Sequence, residues 1–295
     1  MSPLEGVGRN EVRPQGKAFP SQKEESNMKF MYFFDCKLKR FTMYGKRMLH
    51  PSQTGVYQDG ISCIKEDDVN LWFYTKNGVT IAIDAGHLVF KGIEKEFEKI
   101  GIDPRTIKTL LLTHSDVDHL GGVDRTNKKY LYPNAQVYIG KGEENYFDGH
   151  VCRMIKLGIP LMNPARLRDG YKTVKDGEVL NIDGIKIEVF EVMGHTVGHV
   201  CYIIDDKILF SGDCLAVNEN GGYSLFEFFT QNPALNKKSL IRLRDRITGS
   251  DVRIVCTGHS GIRTDMANLF AHIDQSAVSR PGKPFDPTAP KSIRK

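Results

Sequence analysis

The stretch TIKTLLLTHSDVDHLGG, residues 106–122, constrains the fold more than any other part of the chain. Its apolar centre reads as a buried strand, and its end packs His114, Asp116, Asp118 and His119 into six positions. A strand that finishes in so many imidazoles and carboxylates opens onto a turn where a rigid scaffold presents chemistry. The same arrangement recurs downstream. IKIEVFEVMGH runs to His195, KILFSGD to Asp213 and VRIVCTGH to His259. Five of the nine histidines, His114, His119, His195, His199 and His259, lie in such glycine-flanked turns. Any one of them alone has a bland reading as a satisfied structural histidine; the joint pattern points to a metal site. Imidazole and carboxylate are the expected ligands of zinc, iron or manganese at a hydrolytic centre.

The elements around these turns predict an α/β chain. Residues 29–84 hold strand-like runs, FMYFFDC, TGVYQD, ISCIK, NLWFYTK and VTIAIDAG, separated by turn signals at Asp59-Gly60 and Asn77-Gly78. Val89, Ile93, Phe97 and Ile100 then recur at helical spacing, with Gly101 as the stop. The second half follows the same order. IDGIKIEVFEVMGH gives one or two strands, and VCYIIDDKILFSGD a hairpin around Asp205-Asp206. Leu240, Leu243 and Ile247 mark a helix closed by Gly249, and Met266, Leu269, Phe270 and Ile273 mark an expected last helix. Helices packed outside sheets suit this order.

Composition narrows the partners. The excess of Lys+Arg over Asp+Glu is 41 − 36 = +5, partly in the tail, which is too mild and scattered for a nucleic-acid face. No apolar run approaches the roughly 18 residues that a bilayer span needs. Residues 1–27 lack the apolar core of a signal peptide and read as a flexible leader, with one domain over 28–280 and an extended tail over 281–295. The six cysteines form no CxxC, so reduced thiols and a cytoplasmic location are the expectation. A small-molecule substrate, with neither nucleic acid nor membrane as partner, is expected; oligomeric state is not legible, a homodimer being one option.

Taken in order, IDAG, THSDVDHLGG, GHTVGH, SGD and GHS, over residues 83–260, resemble the series that marks the metallo-β-lactamase fold superfamily. The resemblance implies an αββα sandwich, two mixed sheets face to face with helices outside. It implies that His114 and His195 hold a first divalent metal, that Asp118, His119 and His259 hold a second, and that Asp213 bridges them. Asp84 would orient ligands from behind; His199 reads as a residue that supports the ligands, a donor that faces substrate, or equally a satisfied structural histidine. Two ions, zinc by default with iron or manganese as alternatives, would share a bridging hydroxide that attacks an ester-type bond, with Asp118 orienting it. The lactonase and glyoxalase II branches fit a lactone or thioester substrate.

Asp116 departs from the family pattern, which has histidine there. Three readings stay open: an oxygen ligand to the first metal, a side chain turned away that leaves one metal, or a preference for iron or manganese, since carboxylates suit harder ions. An acidic residue in this slot also resembles the diiron enzymes of the fold, so a diiron oxidoreductase is the alternative reading. A phosphodiesterase is a further one, although no basic motif stands beside the metal turns. A non-catalytic binding protein on the same scaffold is the third class. The loop after Asp213 offers Tyr223 as a candidate oxyanion or leaving-group donor, and Phe226, Phe228 and Phe229 as a pocket wall. Tyr146, Phe147, Met154, Ile155 and Leu161 are candidates for an opposing wall.

Overall fold

The computed structural model describes residues 50–88, 90–147, 153–155, 159–161 and 165–277. The leader, the tail, the FMYFFDC run, Val89 and the side chains of Met154, Ile155 and Leu161 lie outside the described residues. The first sheet takes β1 (Gly55–Val56), β2 (Ile61–Glu66), β3 (Val69–Lys76), β4 (Val79–Ile83), β5 (Thr109–Leu112) and β6 (Gln136–Gly140) in order. A hairpin, β7 (Arg153–Ile155) with β8 (Ile159–Leu161), precedes β9 (Lys172–Val174), which completes the 7-stranded sheet beside β6. Strands β1 to β4 are antiparallel, whereas β4, β5, β6 and β9 run parallel.

The second sheet has six strands. It begins with β10 (Val179–Ile182), β11 (Ile185–Glu191), β12 (Val200–Ile204) and β13 (Ile208–Gly212), all antiparallel neighbours. The chain then leaves to form β14 (Leu215–Asn218) and β15 (Gly221–Ser224), and returns as β16 (Ile254–Thr257), parallel to β13, followed by β17 (Ile262–Arg263). Finally β18 (His272–Ser276) lies parallel to β15 in a 3-stranded sheet.

Alternating side chains build three apolar layers, because successive residues of a strand face opposite sides. Trp72 and Tyr74 of β3 and Leu111 of β5 meet Tyr202, Phe210 and Cys256 of the other sheet in a shared middle core. Their neighbours Leu71, Phe73, Leu110 and Leu112 face outward onto Ile93, Phe97 and Ile100. These three lie on one stripe of the helix Ile93–Ile100, which Gly101 ends in the left-handed region. On the far side, Cys201, Ile203, Leu209 and Val255 pack on Leu240, Leu243 and Ile247 of the helix Pro233–Ile247. Layers of helix, sheet, sheet and helix result, as expected of the αββα sandwich.

One expectation needs correction. Met266, Leu269, Phe270 and Ile273 do not form a helix: a turn through Asn268, with φ of 60°, leads into β18. The apolar spacing arises because Leu269, Ile273, Met266 and Phe270 all pack on the second outer core, and that core accepts a turn and a strand as readily as a helix. The backbone groups are used by β15, where Gly222 N–H donates to Asn268 O at 3.2 Å.

Candidate metal centre

Parallel pairing sets the site. Because β4 and β5 run together, Asp84 and His114 leave the first sheet at one end. In the second sheet β13 and β16 are parallel, so Asp213 and His259 also emerge together. Strand β11 is antiparallel to β12, which is antiparallel to β13, so the turn carrying His195 opens at that same end. The short helix Val117–Leu120 begins directly after Asp116 and carries Asp118 and His119 inward; both are buried.

Four imidazoles are held by Nδ1 and turn Nε2 to the centre. His119 Nδ1 lies 2.8 Å from Asp84 Oδ2, and His114 Nδ1 2.9 Å from Thr113 Oγ1. Thr113 Oγ1 itself donates to Asp84 Oδ2 at 2.9 Å, so it accepts the proton on His114 Nδ1. His259 Nδ1 meets Asp68 O at 2.6 Å, and His195 Nδ1 meets Thr230 Oγ1 at 3.4 Å. With Nδ1 held by an outer partner, each Nε2 is the nitrogen left for a metal, the arrangement that outer partners impose on metal-ligating histidines.

The carboxylates face those Nε2 atoms. His119 Nε2 is 3.3 Å from Asp213 Oδ1, and His259 Nε2 is 3.0 Å from Asp213 Oδ2 and 3.4 Å from Asp118 Oδ2. On the other side, Asp116 Oδ2 lies 3.2 Å from His195 Nε2 and 3.6 Å from His114 Nε2, and Asp213 Oδ2 is 3.7 Å from His195 Nε2. Two donor sets converge: His114, His195 and Asp213, and Asp118, His119 and His259. Asp213 borders both. Among the described residues His114 Nε2 is buried with no hydrogen-bond partner, a cost that a bound cation at this place would remove. The donor chemistry and the orphaned nitrogen fit two divalent ions. Asp116 turns inward toward the first set.

Crowding of charge perturbs the buried groups. Burial opposes a charge on His119, but the carboxylates of Asp213, Asp84 and Asp118 overcome it and hold its pKa well above the ordinary histidine value. Burial likewise opposes a charged Asp213, yet His259 and His119 keep its carboxyl well below the usual range. His199 goes the other way: burial, then the neighbouring His114 and His195, keep it neutral. Its Nε2 accepts from Asp213 N–H at 3.1 Å, so it fixes the backbone of the central carboxylate. Gly258 is required beside it, since a Cβ there would collide with Asp213 Oδ1.

Asp84 accepts from Thr113 N–H at 2.8 Å as well as from the Thr113 hydroxyl and His119, so it ties ligand and loop backbone together. The Phe226–Gln231 loop docks on the His195 turn: Gln231 N–H donates to His195 O at 3.1 Å, and Thr230 Oγ1 to Phe226 O at 3.0 Å. Phe226, Phe228 and Phe229 form a mutual cluster in this loop, with ring centroids 5.3 to 5.9 Å apart. Tyr146 Oη bonds Gln231 from the facing segment, whereas Phe147 is buried in the first outer core. Tyr223 belongs to a small core on which Phe226 and Phe229 pack. Its ring is buried and stacked on His272, centroids 4.8 Å apart, among Ala216, Leu225 and Ala277. Sequence reasoning did not find Thr113, Thr230 or Asp68, whose roles come from tertiary approach. His87 is another: Asp68, His87 and Asp118 form a neighbouring buried group, with Glu66 at 3.2 Å from His87 Nδ1.

Comparison with known proteins agrees with this geometry. The 31%-identical hydroxyacylglutathione hydrolase of Buchnera aphidicola subsp. Schizaphis graminum aligns over 189 residues, 61% of this chain and 62% of that protein. The corresponding enzyme of Prochlorococcus marinus (strain MIT 9312) is 29% identical over 187 residues, 59% of this chain and 63% of the relative. The chain thus spans less than two thirds of the length of either. Among solved structures, a metallo-beta-lactamase family protein from Thermus thermophilus superposes with a TM-score of 0.54 at 21% identity, covering 72% of this chain and 77% of its own. MEM-A1, a subclass B3 metallo-beta-lactamase from a soil metagenome library, gives a TM-score of 0.51 at 17% identity, with 75% and 83% covered. The model of the metallo-beta-lactamase superfamily matches residues 64–259, more than half the chain and every residue of both donor sets, so the chain belongs to that superfamily.

Proposed function

We propose that this protein is a metal-dependent hydrolase of ester-type bonds, with an acyl thioester of a small thiol as the favoured substrate class and a lactone next. The observation that carries the reading is the convergence of four imidazole Nε2 atoms and three carboxylates from two sheets. The similarity to hydroxyacylglutathione hydrolases supports the thioester. His114, Asp116 and His195 would hold one divalent ion, Asp118, His119 and His259 the other, with Asp213 shared. Bound there, two such ions acidify water and polarise a scissile carbonyl.

The chain's own residues do the rest. Asp118 orients the attacking water and holds its proton at a carboxylate oxygen. Asp84, Thr113, Thr230 and the Asp68 carbonyl keep the imidazoles in one tautomer, so no reorganisation is needed during turnover. Phe226, Phe228 and Phe229 supply an apolar wall beside His195 for the acyl or thiol portion. Tyr223, stacked on His272, serves packing in this reading. Zinc is the favoured metal, and the reduced cytoplasm the favoured compartment, in keeping with cysteines that, among the described residues, are buried thiols with no disulfide.

The Asp116 carboxylate is the one observation that favours iron, and with it the diiron oxidoreductase. Metal analysis of protein purified without added metal, together with turnover of thioester, lactone and phosphodiester panels, decides between them. Zinc or manganese with thioester or lactone cleavage is the expected outcome. Stoichiometric iron with oxygen-dependent turnover and no hydrolysis would overturn the proposal.

A further inference from the structure

Glu143 is a fully buried carboxylate outside both donor sets. It ends the 3-10 turn Lys141–Glu143 that follows β6. Its Oε2 accepts from Ser115 N–H at 2.9 Å and from the Ser115 hydroxyl. Its Oε1 accepts from Gly198 N–H at 2.8 Å and from the Thr196 hydroxyl. Ser115 stands between His114 and Asp116, and Thr196 directly follows His195. One carboxylate therefore grips both turns that supply the histidines of the first donor set, with a backbone N–H and a hydroxyl from each.

The two turns follow strands of different sheets, which are joined behind them by Val200 N–H donating to Thr113 O at 2.9 Å and Tyr202 Oη to Leu112 O at 2.8 Å; Glu143 adds a tie at the ligand turns themselves. The close approach is steric as well. Gly198 has no room for a Cβ against the backbone of Gly142 and Glu143, and Gly142 none against Gly198. Four donors fill the acceptor capacity that a buried carboxylate must satisfy. Glutamine in its place would turn an NH2 toward two of those donors and leave one turn without its acceptor.

We propose that Glu143 is a positioning residue that sets the His114–Asp116 turn against the His195 turn, so that His114 Nε2, Asp116 and His195 Nε2 meet around one ion. This rests on the metal-centre reading above. Its test is a zinc titration of metal-free, full-length protein against a chromophoric chelator, which resolves two binding steps. The step abolished by His195→Ala is the first set. Glu143→Gln is expected to weaken that step by about 10- to 100-fold while leaving the other within about threefold. Ser115→Ala and Thr196→Val each remove one hydroxyl without orphaning a backbone group, and are expected to weaken the same step alone. They decide the matter if Glu143→Gln does not fold. Both steps weakening together, or neither moving, would overturn the positioning role. Wild type showing no step that His195→Ala abolishes would instead overturn the metal-centre reading.

Discussion

At the scale of single residues, Asp116 decides the electrostatics of the centre. With Asp118 and Asp213 it makes three carboxylates, where the family pattern would put a neutral imidazole in its place. The added negative charge would weaken the Lewis acidity of an ion held by the first set and raise the pKa of water bound to it. Asp116→His is therefore expected to move the acidic limb of the pH–rate profile to lower pH at matched metal content. An unmoved limb would show that the carboxylate does not face the reacting water.

His119 gives a second prediction at this scale. Burial resists its charge, but Asp213, Asp84 and Asp118 hold its pKa well above the ordinary value, so the metal-free imidazole keeps its proton through neutral pH. That stabilisation of the metal-free fold is complete below the ordinary histidine pKa and is lost as pH rises through the raised one. Metal uptake by Nε2 must expel the proton, so zinc affinity rises with pH over that range. Calorimetric titrations at neutral pH in buffers of different ionisation enthalpy should give different heats. Identical heats would mean that no proton leaves.

The elements show what a sequence can and cannot disclose. His195, Asp213 and His259 were legible because each follows a strand beside a glycine, and His114, Asp118 and His119 because they share one short segment between a strand and Gly121-Gly122, both local patterns. Strand alternation in β3, β12 and β13 was legible for the same reason. The last helix failed because Met266, Leu269, Phe270 and Ile273 fit helical spacing while β15 claims the backbone. Glu143 left no trace, since its spacing from Ser115 and Thr196 means nothing until two sheets stack. The helix Pro233–Ile247 joins both kinds. Asn232 caps it by accepting from Leu235 N–H at 3.0 Å, with Pro233 opening the first turn, a local signal. Asn232 N–H also donates to Gly194 O at 2.8 Å, so the cap anchors the His195 turn. Asn232→Ala should cost about 1 kcal/mol and lower Tm by roughly 2–4 °C, read by thermal unfolding of the metal-free protein. An unchanged Tm would show that the cap contributes nothing.

At the scale of the whole molecule, the two donor sets divide between the sheets. His114, Asp116, Asp118 and His119 follow β5 of the first sheet, whereas His195, Asp213 and His259 follow strands of the second. Each ion would therefore cross-link the two sheets at one rim of the sandwich. The unfolded chain holds the corresponding residues far apart in sequence, so it binds metal weakly and the stabilisation goes to the native state. An ion at 100 times its dissociation constant adds about 2.7 kcal/mol per site. Chelation should thus lower Tm by several degrees and raise hydrogen exchange at the ends of β5, β11, β13 and β16 together, since losing the cross-link frees both sheets at the same rim. The middle core of Trp72, Tyr202 and Phe210 lies between the sheets independently of the ions, so its exchange protection is expected to change least. Loosening confined to one sheet would mean that the ions do not join them.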